Sequence, residues 1–211
     1  MNPSLSRTFW CVVCFIVFVS SPVFASNIVL NGNFATGDFT DWTVNSESSF
    51  PWTVQTTGGL GGNPYDSDTY YASTGCVGAQ CISGTAIEQA SLSQVVTDAS
   101  GTFYTLTFEF NTDGNGASNE LQVLWDGTVV LDLGPDGTLG PIDNYTLYTV
   151  TGLEGTGSDT LTFLGRQDPG FDALDNVSVS SSVTAVPEPS TLMFTVGGLV
   201  SLAVLRRRRR V

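Results

Sequence analysis

The chain has 211 residues, 41% of them hydrophobic and 13% charged, with 23 Gly, no His and a formal net charge of −13. The missing His excludes a Ser-His-Asp or Cys-His catalytic unit and any His-ligated metal. Arg166 is the only basic residue between Ser26 and Val186, and every acid of the chain except Glu188 lies in that span, so nucleic acid is excluded as a partner and anionic headgroups are disfavoured.

In chain order, Arg7 precedes an apolar run from Phe9 to Val19, and Ser20, Ser21, Pro22, Val23, Phe24 and Ala25 follow. This layout predicts a secretory signal peptide over 1–25, with Ser26 as the mature N-terminus. The apolar run falls short of the roughly 20 residues that span a bilayer, and Cys11 and Cys14 would leave with the signal.

From Ser26 to Ser182 the pattern predicts one all-β domain, an antiparallel β-sandwich or jelly roll of about nine strands. Short runs rich in Val, Thr, Phe and Tyr alternate with Gly, Asn and Asp clusters: Asn27 to Leu30, Trp52 to Thr56, Thr69 to Ser73, Ala86 to Val96 and Thr102 to Phe110, then Glu120 to Trp125, Thr128 to Leu133, Asn144 to Thr151, Thr160 to Gly165 and Asp175 to Ser180. In the fifth run Leu106, Phe108 and Phe110 share one face, and Thr105, Thr107 and Glu109 the other. Asp126-Gly127 predicts a two-residue hairpin, because both central residues of a type I′ turn need positive φ. A segment of this length buries roughly 70% of its unfolded surface, enough for a core without heavy cross-linking.

Trp42 and Trp125 fall in strand-like patterns and are expected in that core. Trp52, Tyr65 and Tyr70 flank the Gly-rich loop from Gly58 to Pro64 and are the candidate carbohydrate platform, since sugars stack their C–H faces on aromatic rings; a place in the core is the alternative. Cys76 and Cys81 are the thiols left after export, and a disulfide is expected, because a C-x4-C metal site would lack its other ligands. The short loop limits its contribution to roughly 2 kcal/mol. Asp113-Gly114-Asn115-Gly116 lacks the downstream acid of an EF-hand and is expected to be a plain turn. Arg166 is expected to pair with Asp168 or Asp172 and pin the last loop, with an anion clamp as the other reading.

Beyond Ser182 a linker leads to Pro187-Glu188-Pro189, an apolar stretch from Thr191 to Leu205, and Arg206, Arg207, Arg208, Arg209 and Arg210. A helix over the apolar stretch would be about 22 Å long, a marginal span, with its Arg end cytoplasmic.

This succession over 183–211 resembles the PEP-CTERM sorting signal of Gram-negative bacteria. The resemblance implies an exosortase-type transpeptidase as partner, transient membrane residence through the C-terminal helix, and an exported ectodomain at the cell surface or in the extracellular matrix. Asn31-Gly32-Asn33-Phe34 with Gly37-Asp38-Phe39 and Trp42, together with Gly165-Arg166-Gln167-Asp168-Pro169-Gly170-Phe171 and Leu174-Asp175-Asn176-Val177, resembles the opening and closing strands of carbohydrate-binding modules with a galactose-binding-like fold. In those modules a structural calcium often ties the first turn to the last strand. The matching candidates are Asp175 and, since Ala35 stands where the modules carry an acid, Asp38; the alternative is that Asp175 only caps the strand ends. Two carboxylates for a glycosidase arise by chance among so many acids, and no nucleophile, phosphate or dinucleotide motif is present. The expected role is non-enzymatic, with extracellular polysaccharide as the partner; a purely structural function is the alternative, and a carboxylate-dependent glycoside hydrolase the remote one.

Overall fold

Alternation of apolar and polar residues builds both layers. In β5 (Phe103–Thr112) Leu106, Phe108 and Phe110 are fully buried, while Thr105, Thr107 and Glu109 are only half-buried. The computed structural model describes residues 26–45, 50–56, 69–76, 89–113, 119–134 and 139–182, all within the unit Ala25–Val183. The signal peptide, the sorting segment with Pro187, Glu188, Pro189 and Arg206 to Arg210, and the residues Tyr65 and Cys81 lie outside the described residues.

Among the described residues ten strands form two antiparallel five-stranded sheets, a β-sandwich. The first sheet has the order β1-β4-β9-β6-β7, built from β1 (Thr43–Val44), β4 (Ala90–Val96), β9 (Asp159–Arg166), β6 (Glu120–Trp125) and β7 (Thr128–Leu133). The second has the order β2-β3-β10-β5-β8, with β2 (Thr53–Thr56), β3 (Tyr70–Cys76), β10 (Gly170–Ser181) and β8 (Ile142–Glu154) around β5. No helix occurs among the described residues, so none there is long and apolar enough to cross a membrane.

The aromatic centre runs from Phe34 to Trp42 and Phe163, then to Phe108, with ring centroids 5.8, 6.3 and 5.3 Å apart. Trp42 and Trp125 are both buried, as the strand pattern anticipated. The β6–β7 hairpin turns at Asp126 (φ 47°) and Gly127 (φ 78°), the positive-φ pair that a type I′ turn requires.

Asn27 to Leu30 is not a full strand. A single bridge joins Asn27 to Ser180, and the segment instead ties the two sheets together. Ile28 N–H donates to Val179 O at 2.8 Å, and Val177 N–H to Gly32 O at 2.9 Å. From the other sheet the Gln94 amide closes a two-way pair on Leu30, accepting from its N–H at 2.8 Å and donating to its carbonyl at 2.9 Å.

Candidate functional site

The outward face of the second sheet carries a row of aromatic, acidic and amide side chains. Register places Gln55 opposite Tyr71 and Asp175 opposite Glu109, with Glu109 opposite Leu147 on β8. Residues paired across an antiparallel sheet share one face, so these side chains point away from the Leu174, Phe110 and Ala72 row that faces the core. The ladder slips between Asp175 and Ser178, where Asn176 adopts a φ of 51°. This bulge leaves Asn176 on the same outward side, where its Nδ2 donates to Glu109 Oε2 at 3.1 Å. Its backbone N–H donates to Asp175 Oδ1 at 2.8 Å.

Tyr145, two residues before Leu147 on β8, completes the cluster. Its phenol is held far above the ordinary tyrosine range, first by burial and then by the charges of Asp175, Tyr71 and Glu109. Asp175 and Tyr71 are almost wholly enclosed, at 1% and 5% exposure, whereas Tyr145, Glu109 and Asn176 are half-buried and Leu147 is exposed. Rings beside carboxylates and an amide can stack on a sugar face and accept its hydroxyl protons.

Of the side chains anticipated for a platform, Trp52 and Tyr70 are among the described residues, and neither joins this cluster. Trp52 is a core residue: it is 2% exposed and its Nε1 donates to Ala90 O at 2.9 Å, which leaves no ring face for a ligand. Tyr70 is half-buried and lies under the turn at Gly37, whose Cβ would meet the Tyr70 ring at 3.2 Å. Tyr71 points the other way along the same strand, and with Tyr145 it was missed because alternation alone does not say which face meets the second sheet.

Arg166 does not form the anticipated pair with Asp168 or Asp172. Its cross-strand partner is Glu120; no ion pair joins Arg166 to an acid among the described residues, and its Nε has no hydrogen-bond partner there. Asp172 projects from the opposite sheet into the interior, where it is fully buried.

Asp38 and Asp175 occupy different settings. Asp38 is exposed, and its Oδ1 accepts from the Thr36 hydroxyl at 2.8 Å and from the Thr40 N–H and hydroxyl at 2.9 and 2.6 Å. These bonds, those of Thr40 foremost, hold its carboxyl below the usual range. Among the described residues no three His, Cys, Asp or Glu side chains are grouped to hold a metal. The seam between the first turn and β10, where a calcium was anticipated, is closed by the main-chain bonds of Ile28 and Val177. Asp113 Oδ1 accepts from Phe171 N–H at 2.6 Å. Cys76 is buried and is the only cysteine among the described residues; its expected partner, Cys81, lies outside them.

No family model matches the chain, and no curated protein does. Solved structures share its architecture. The galactotriose-bound module TmCBM61 aligns with a TM-score of 0.50 and 15% identity over 74% of this chain and 98% of that one. A protein of Bacteroides thetaiotaomicron VPI-5482 proposed to bind sugar gives 0.51 and 13% over 74% and 100%. The enzymatically active domain of tailspike protein 4 from bacteriophage CBA120 gives 0.52 and 16%, again over 74% of this chain, which spans 21% of the tailspike chain. At these identities the likeness establishes the β-sandwich fold.

Proposed function

We propose that this chain is an exported, non-enzymatic surface or extracellular-matrix protein that binds neutral polysaccharide on the outward face around Tyr145, in a sandwich of the jelly-roll, galactose-binding-like kind. The observation that carries this reading is the outward row of Asp175, Glu109 and Leu147 set by register, with Tyr145 two residues along β8 on the same face and Asn176 bonded to Glu109. A ring offers the stacking surface, and carboxylate and amide oxygens fix the hydroxyls. The acidic domain repels uronic or sulfated polymers, so an uncharged glycan is the fitting class. The solved carbohydrate-binding relatives of this fold support the reading. Export and sorting by an exosortase-type transpeptidase rest on the sequence pattern at the two ends, as does a transient membrane stage. A purely structural role is the second reading, favoured by the near-complete enclosure of Asp175 and Tyr71.

Electrophoresis of the purified chain through native gels containing β-1,4-galactan, xylan or no polysaccharide tests the proposal. Retardation in at least one polymer gel, lost in a folded Tyr145→Ala variant, is expected. Equal mobility of the folded wild-type chain in every gel overturns binding and leaves the structural role.

A further inference from the structure

At the end of the sandwich where β9 passes into β10, three buried side chains present oxygen atoms with no hydrogen-bond partner. Asp172 is 0% exposed, Gln167 2% and Asp168 5%. Both carboxylate oxygens of Asp172, the amide oxygen of Gln167 and Oδ2 of Asp168 lack a partner among the described residues. Thr112 stands directly opposite Asp172 across the β5–β10 ladder, and the Gln167 Nε2 donates to its Oγ1. The Gln167 amide and the Asp172 carboxylate therefore converge on one hydroxyl, on the inward side of the sheet.

All four orphaned atoms are acceptors. A buried carboxylate without a counter-charge is strongly disfavoured, and the protein does not supply that charge: Arg166, the one basic residue between Ser26 and Val186, is in register with Glu120 on the other sheet. The charge of Asp113 adds repulsion at Asp172. Neutralisation by one proton would satisfy a single acceptor. A hard cation gathers carboxylate, amide and hydroxyl oxygens together, six to eight in the case of calcium.

We propose that Asp172, Gln167 and Thr112, with Asp168 adjoining, form a buried binding site for a hard divalent cation of the calcium class. This site is separate from the Asp38 turn and faces inward, away from the Tyr145 cluster, so its success or failure leaves polysaccharide binding untouched. Two carboxylates supplemented by an amide and a hydroxyl do not stand out as a cluster of acids alone.

Calorimetric titration of the chelator-stripped chain with calcium chloride, at constant ionic strength, tests it. One calcium per chain is expected, with a rise in Tm on the order of 5 °C once calcium exceeds Kd about a hundredfold. Asp172→Asn should abolish both effects and Gln167→Ala should weaken binding, whereas Asp38→Asn should leave them intact. Should Asp172→Asn fail to fold, the calorimetric stoichiometry of the wild type and the Gln167→Ala comparison carry the test. Absence of calcium binding by the folded wild type, or binding lost in Asp38→Asn but kept in Asp172→Asn or Gln167→Ala, overturns the proposal.

Discussion

Gly165 on β9 lies against the Trp52 indole so closely that a Cβ there would come within 2.6 Å of Trp52 Cζ2 and 2.8 Å of Thr74 Cγ2. The missing side chain is what lets the tryptophan close the end of the core and reach Ala90 O. Gly165→Ala should destabilise the protein by about 1–3 kcal/mol through overpacking. Trp52→Phe should cost about the same, because it strands the buried carbonyl, and should not change mobility in polysaccharide gels. Chemical denaturation and the native gels measure the two effects; a stable Trp52→Phe variant with lost retardation would restore Trp52 to a ligand-binding role.

Two further glycines separate conformation from space. Gly127 has a φ of 78° with nothing within 4 Å of a built Cβ, whereas a Cβ on Gly32 would strike Val177 O. Gly127→Ala should therefore cost only about 1–2 kcal/mol of left-handed backbone strain. Gly32→Ala should cost more and expose the Val177 amide to hydrogen exchange, since it pries the first turn from β10. Equal losses of stability would refute the distinction.

In protein freed of divalent cations, burial pushes the Asp172 carboxyl up to about 8, with Thr112 offsetting part of the shift and Asp113 adding to it. The unfolded value is about 3.9. Because the folded pKa is the higher one, this group's contribution to stability is complete below about pH 4 and is lost as the pH climbs toward 8. The Tm of Asp172→Asn minus that of the wild type should grow steadily from pH 5 to pH 8 in chelator; a constant difference contradicts the assignment.

Tyr145 is raised above its ordinary value by burial and by Asp175, Tyr71 and Glu109. Its stabilising contribution is full below about pH 10 and disappears at higher pH as the phenolate is forced to form. Ultraviolet titration should show a late-ionising tyrosine that is missing in Tyr145→Phe, while Tyr148, also raised by burial, keeps its own late titration in that variant. Glu109→Gln should let Tyr145 ionise at lower pH. A normal titration of every tyrosine would dissolve the cluster.

Mass spectrometry of exported material should find an N-terminus near Ser26 and no residues from Arg206 to Arg210. Mature extracellular protein that retains the Arg block would end the sorting proposal.

Alternation along 102–110 was enough to predict which residues of β5 share a face, and Asp126-Gly127 was enough to place a hairpin, because both depend on residues adjacent in the chain. The burial of Trp42 and Trp125 followed from the same periodicity. Composition alone removed His chemistry. Tertiary structure decided what depends on distant segments. Tyr70 and Tyr71 point to opposite faces by the pleat of any strand, yet only the packing of the second sheet makes Tyr71 the outward one. Asp172 is close to Arg166 in sequence, but β9 and β10 belong to different sheets, and register sets Arg166 opposite Glu120. Trp52 beside a Gly-rich loop reads as a surface ring until Gly165, more than a hundred residues away, opens the gap it fills. Local periodicity sets the direction of each side chain relative to its own strand; the register of strands far apart in sequence sets what that side chain meets.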